Sequence, residues 1–154
     1  LWVIGESVPF QPNISKLSLK IGITRETLIR YLDLLEKARL ISLLHSGVRG
    51  GSKMSKPDKI YLNNSNLLHA LQPDLKNIGT IRETFLLNQL SVNHNITLPK
   101  KGDFFVDNKY LFEVGGKNKT GKQIEGIENS YIIADDTEFG FRNKIPLWIF
   151  GLMY

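Results

Sequence analysis

Two short apolar runs joined by a turn constrain this chain more than any other feature. Gly102-Asp103-Phe104-Phe105-Val106 and Tyr110-Leu111-Phe112-Glu113-Val114-Gly115-Gly116-Lys117 flank the turn tripeptide Asp107-Asn108-Lys109. Apolar strand patterns on either side of such a turn predict a hairpin. Paired strands run about 5 Å apart, so Asp103 near the start of one and Glu113 near the end of the other are expected to share a divalent cation. Oxygen ligands of this kind suit magnesium.

The layout resembles the PD-(D/E)xK nuclease fold, in which an acid opens one strand and an acid-x-lysine triplet ends the next. The resemblance implies Asp103 and Glu113 as metal ligands and Glu83, on a first core helix, as a supplementary acid. The triplet departs from the pattern, reading Glu113-Val114-Gly115. Glycine has no charge with which to polarise a phosphate or orient an attacking water. The nearest basic residue is Lys117, and Lys117 or Lys122 would have to fold back into the vacancy. The candidate catalytic set is therefore Glu83, Asp103, Glu113 and Lys117. The expectation is a retained nuclease-like fold without activity in this fragment; the alternative is an active magnesium-dependent DNA endonuclease. Each acid also has a structural reading. Asp103 and Glu113 are placed to cap a turn or pair with Lys101, Lys109 or Lys117, and Thr80-Ile81-Arg82-Glu83 reads as a T-x-x-E capping box.

A length of 154 residues with 42% hydrophobic content fits one ordinary domain or two small ones with packed cores. The absence of cysteine excludes disulfides and thiolate metal sites and is compatible with a cytoplasmic location. The longest apolar run, Ile145 to Met153, is far shorter than the roughly 20 residues of a membrane span. Pro146 and Gly151 also interrupt it, so no membrane partner is expected. The opening Leu1-Trp2-Val3-Ile4-Gly5 has neither an initiator methionine nor a basic flank, and reads as the start of a fragment of a longer chain.

Charge divides the chain. Residues 1–72 hold 10 Lys/Arg against 5 Asp/Glu, while residues 73–154 hold 10 against 10. All the excess positive charge therefore falls in an expected first domain, residues 1–72, and a second domain, residues 73–154, is neutral. A basic excess confined to one unit attracts a polyanion, most often nucleic acid, although solubility alone explains many such imbalances.

The first domain reads as a winged helix-turn-helix. Asn13 caps a short helix with apolar residues at 14, 17, 19 and 21, Gly22-Ile23 ends it, and Thr24 caps a second helix. Leu28, Tyr31, Leu32, Leu35 and Ala38 recur along one face of that helix. Leu40 to Leu44 and Lys59 to Leu62 then form a hairpin around the glycine-rich, basic tip His45 to Lys53. Such a second helix enters a major groove while the wing clamps the backbone. Arg25, Thr27, Arg30, Arg49, Lys53 and Lys56 are the candidate nucleic-acid contacts. Glu26 and Asp33 share the outer face and oppose phosphate, and a scaffold with merely solvated charges is the plainer alternative.

In the second domain, residues 84–90 are expected as an apolar helix, 94–98 and 130–134 as strands, and 120–127 as a helix. Gly116 to Lys122 is glycine- and lysine-rich but fails the phosphate-loop pattern, because Lys122 is followed by Gln123 rather than serine or threonine. His45, His69 and His94 lack the mutual spacing of a metal site. The fold class is thus α/β (α+β), a winged helix-turn-helix followed by a small restriction-endonuclease-like domain.

The order of Asn13-Ile14-Ser15-Lys16-Leu17, Tyr31-Leu32-Asp33-Leu34-Leu35-Glu36, Arg82-Glu83-Thr84-Phe85, Gly102-Asp103 and Phe112-Glu113-Val114 resembles the C-terminal region of prokaryotic AAA-type ATPases carrying a DUF4143 domain. The resemblance implies an N-terminal ATPase module on the same full-length chain as a partner, with DNA as another. ATP is expected only in that missing module, and this fragment needs no cofactor other than magnesium, and that only if active. A protein-interaction module that regulates the ATPase is a further reading. The oligomeric state and the DNA target are not legible.

Overall fold

The computed structural model describes residues 1–5, 9–47, 56–74 and 77–153, and the chain separates into two compact units, Leu1–Leu75 and Lys76–Tyr154. The sequence-based boundary fell after Gln72. It is a mixed α/β protein with two sheets.

In the first unit a short helix α1 (Trp2–Gly5) precedes α2 (Ile14–Ile21) and α3 (Arg25–Lys37). Local chemistry sets the ends of both longer helices. The Asn13 side chain accepts the Lys16 N–H at 3.0 Å, and Thr24 Oγ1 accepts the Thr27 N–H at 3.2 Å, each satisfying a donor that the first turn leaves without a partner. Between the helices Gly22 takes the left-handed conformation, φ +76°, and its N–H closes on the carbonyls of Ser18 and Leu19, a turn that glycine enters at no steric cost. Two expectations fail here. Leu19 is 82% exposed and Ile21 54%, because only Ile14 and Ser18 of α2 are fully inside. Tyr31 and Ala38 also face solvent, leaving Leu28 and Leu32 as the buried stripe of α3.

Strands β1 (Ile41–Leu44) and β2 (Lys59–Leu62) pair antiparallel, Ile41 opposite Leu62. Glu36 of α3 accepts the Leu43 N–H at 3.0 Å, and Phe10 forms a two-way bridge with Ile60. Ile60, Tyr61 and Leu62 are fully buried. Where the connection between the two strands begins and ends, Asp58 accepts both the hydroxyl and the N–H of Ser46, and these bonds hold its carboxyl below the ordinary value. Helix α4 (Ser65–Leu71), capped by Asn64, completes the unit.

The second unit opens on α5 (Ile78–Leu90). Its cap is Asn77, whose side chain accepts the Thr80 N–H at 3.2 Å. The capping box expected at Thr80 is therefore corrected: the helix starts earlier, and Thr80 and Glu83 lie within it. An Asn77→Ala variant should lower stability by about 1 kcal/mol, read from a urea transition of unchanged slope.

Five strands follow: β3 (Ile96–Thr97), β4 (Phe104–Val106), β5 (Tyr110–Gly115), β6 (Ser130–Ala134) and β7 (Lys144–Pro146). They lie side by side in chain order, with β3, β4 and β5 antiparallel and β5, β6 and β7 parallel. Alternation along β5 sends Phe112 to the face covered by α5 and a closing 3₁₀ helix, Leu147–Leu152. There Phe112 meets Phe150 and Tyr131 at ring-centroid distances of 6.0 and 6.1 Å. On the other face Leu111, Ile124, Ile132 and Ala134 form one cluster with Phe105 against it.

The helix expected over residues 120–127 is absent, and the segment runs as hydrogen-bonded turns. Gly121 and Gly126 have φ values of +69° and +74°, which no right-handed helix contains. Neither β7 nor the 3₁₀ helix was anticipated. No helix among the described residues is long and apolar enough to cross a membrane.

The turn between β4 and β5 carries a pH prediction. Asp107 accepts the Asn95 N–H at 2.9 Å and meets His94 Nδ1 at 2.6 Å. These bonds, the backbone one foremost, hold its carboxyl below the ordinary value. A carboxyl depressed in the folded state stabilises fully above its unfolded value of about 3.9 and loses that contribution as pH falls through the folded value. Amide exchange at Asn95 should accelerate below about pH 4, and in Asp107→Asn this acid step should vanish.

Candidate functional site

Glu113 occupies the middle of β5, on the face holding Leu111, Ile132 and Ala134. It is 2% exposed, among the most buried polar residues described. One carboxylate oxygen, Oε1, receives the Lys119 ammonium at 3.0 Å. The other, Oε2, is buried with no hydrogen-bond partner among the described residues. A buried carboxylate oxygen left without a donor is costly, and such a group calls for a bound water or ion.

Asp103 brackets that residue. Its N–H donates to the Phe112 carbonyl at 2.8 Å and its Oδ2 accepts the Val114 N–H at 2.7 Å. Asp103 is thereby tied to the backbone on both sides of Glu113, through its own N–H at Phe112 and its carboxylate at Val114. Gly102 permits this approach: at φ +77°, a Cβ there would lie 3.1 Å from the Phe112 carbonyl and 3.2 Å from Leu111 and Ile124. Gly102→Ala should therefore displace Asp103 and cost about 1–3 kcal/mol, measurable by denaturation. An ionised carboxylate offers about four acceptor positions, and the bond to the Val114 N–H takes one of those on Asp103. Two carboxylates completed by water and substrate phosphate are a usual magnesium set. Among the described residues no group of three or more His, Cys, Asp or Glu is placed to hold a metal, so a cation here rests on the pair.

The remaining sequence candidates distribute as follows. Lys117 is exposed, and its carbonyl accepts the Lys144 ammonium at 3.1 Å. It is not the lysine at Glu113. Lys122 is also exposed and lines a cleft of about 730 Å³ with Tyr131 and Arg142, a cleft whose lining contains neither acid. Glu83 lies half-buried on α5, engaged with its surroundings. Its neighbour Arg82 ties α5 to the loop after β6, through Asp135 at 2.8 Å and Asp136 at 3.3 Å.

Lys119 was not singled out from the sequence. The chain turns back after β5, with the Lys119 N–H donating to the Gly116 carbonyl at 2.9 Å, and carries the side chain across Gly115. A Cβ on Gly115 would lie 2.7–2.8 Å from the Cβ, Cγ and Cδ of Lys119. The readable signal was the Gly115-Gly116 pair, which clears space at the end of a strand.

In the first unit Arg25 and Arg30 are exposed on α3, as is Lys56 before β2. Thr27 is half-buried with its hydroxyl 3.0 Å from that of Thr24, so it serves the cap rather than the outer face. Glu26 is exposed, with its carboxyl held below the ordinary value by a backbone bond at the helix start and by the Thr24 hydroxyl. Asp33 is offset by Lys37 at 2.7 Å. Arg49 and Lys53 lie outside the described residues.

The profile of a domain of unknown function, DUF8612, matches residues 7–80. That span is similar to the domain through most of the first unit and the start of α5, and it ends before both acids. No curated protein and no solved structure matches the chain.

Proposed function

We propose that the chain is a DNA-interacting pair of modules, a winged helix followed by a nuclease-like domain. In this reading the two units serve as the C-terminal part of an AAA-type ATPase carried on the same full-length chain. The observation that carries the DNA reading is the union of a capped α2-turn-α3 pair and a β1–β2 hairpin with a unit, residues 1–75, whose 10 Lys/Arg against 6 Asp/Glu hold most of the positive excess of the chain. Helix α3 presents Arg25 and Arg30, and Arg49 and Lys53 fall in the stretch of sequence that connects β1 to β2. Fluorescence anisotropy with a labelled duplex at about 50 mM salt tests it, a salt level at which phosphate contacts act strongly. Saturable binding is expected, and no binding at that salt removes the reading.

Glu113 favours a second reading, a magnesium-dependent nuclease site. Its Oε2, buried without a hydrogen-bond partner among the described residues, suits a divalent cation, which when bound would supply Lewis-acid polarisation of a phosphate oxygen. Asp103 and Glu113 would hold the ion, and the Val114 N–H fixes the orientation of Asp103. The test is incubation of plasmid with magnesium and with manganese: cleavage that disappears in Asp103→Asn and Glu113→Gln supports the site. Intact plasmid under both metals leaves a nuclease-like fold without the chemistry.

A further inference from the structure

We infer that Lys119 is the lysine of the Asp103–Glu113 site, displaced four positions along the chain and admitted by the glycine at 115. This inference rests on the cation reading above and names the residue that reading lacked. Three observations carry it. The Lys119 ammonium reaches a carboxylate that is 2% exposed, an uncommon commitment for a loop lysine. Its aliphatic stem fills the space that a side chain on residue 115 would take, with three of its carbons within 2.8 Å of that missing Cβ. The two nearby alternatives are exposed, Lys117 with only its backbone carbonyl bonded to Lys144 in the contacts described and Lys122 lining a separate cleft.

The chemistry follows from the geometry. By holding Oε1, Lys119 fixes the rotamer of Glu113 so that Oε2 is left for a cation. Lys119 is thus a positioning residue, acting through Glu113. Without the ammonium the carboxylate loses the contact that sets its orientation. Gly115 is a requirement of this arrangement rather than the mark of a lost residue.

The test is isothermal titration of Mn²⁺ into the full chain, with a melting curve for every variant. Gly115→Ala should push Lys119 off Glu113 and weaken Mn²⁺ binding by roughly 10- to 100-fold, the range seen when partners of metal ligands are removed. Moving the lysine in the double variant Gly115→Lys/Lys119→Gly should return affinity to within about threefold of wild type. If Gly115→Ala does not fold, the double variant alone decides. A folded Gly115→Ala that binds as wild type does, or a folded double variant that does not bind, overturns the assignment while leaving the cation site in place. A wild-type chain that takes up no Mn²⁺ removes the cation reading itself and the role of Lys119 with it.

Discussion

Duplex affinity should fall steeply with salt. If Arg25, Arg30, Arg49, Lys53 and Lys56 each neutralise one phosphate, the slope of log affinity on log salt is about −4.5, a loss of roughly 500-fold between 50 and 200 mM. Arg25→Ala/Arg30→Ala should flatten the slope by about 2 and weaken binding uniformly across sequences, without moving the melting temperature, since both side chains are exposed on α3. Glu26→Gln should act in the opposite sense, because its charge sits at the start of the same helix and repels phosphate. Thr27→Ala should weaken the α3 cap and leave the slope unchanged, since its hydroxyl faces Thr24. Anisotropy titrations at four salt concentrations separate these outcomes. A slope near zero would assign the charge of the first unit to solubility.

The largest effect on stability is expected at Lys119. Lys119→Met leaves Glu113 buried without its counter-ion, and removing one partner of a buried ion pair typically costs about 3–5 kcal/mol. Lys119 is one-third exposed while Glu113 is not, so the penalty falls on the carboxylate and not on the lysine. Adding Glu113→Gln in the same chain removes the orphaned charge and should recover most of the loss, because an amide is far cheaper to bury than an ion. The two substitutions are in direct contact and should be strongly non-additive. Urea denaturation of wild type, both single variants and the double gives the coupling. Lys119→Met within about 1 kcal/mol of wild type, the range of an exposed pair, would mean that the ion pair does not hold in solution.

Signals that act within one turn of chain were legible in the sequence. Asn13 and Thr24 each satisfy an N–H three residues on, and Gly22 takes a left-handed turn, all of which residue type alone suggests. The hairpins β1–β2 and β4–β5 were legible for a similar reason, since apolar runs flank recognisable turns. The cap of α5 was misplaced because a capping-box pattern at Thr80 to Glu83 masked the asparagine three residues earlier that does the capping. The segment 120–127 read as helical by composition, but the positive φ of Gly121 and Gly126 forbids it, and the packing around Ile124 and Ile132 decides that conformation. Strand β7 is three residues long and ends in Pro146, too short for periodicity to register.

Of the candidate site, the two acids were legible and the lysine was not. Asp103 and Glu113 stand on adjoining strands, where register follows from the turn between them. Counting along β5 assumes that the third member of the site shares the strand with the second. Here it comes from a loop folding back over a glycine, and only the space above Gly115 reveals it.

Crystals of the full chain soaked in Mn²⁺ test the account most directly, through anomalous scattering at the second unit. The expected result is a peak within about 2.5 Å of Glu113 Oε2, shared with the Asp103 carboxylate, and Lys119 still on Oε1. Full Mn²⁺ soaking with no peak at Glu113, and with Oε2 bonded instead to an ordered water or a protein donor, would contradict it.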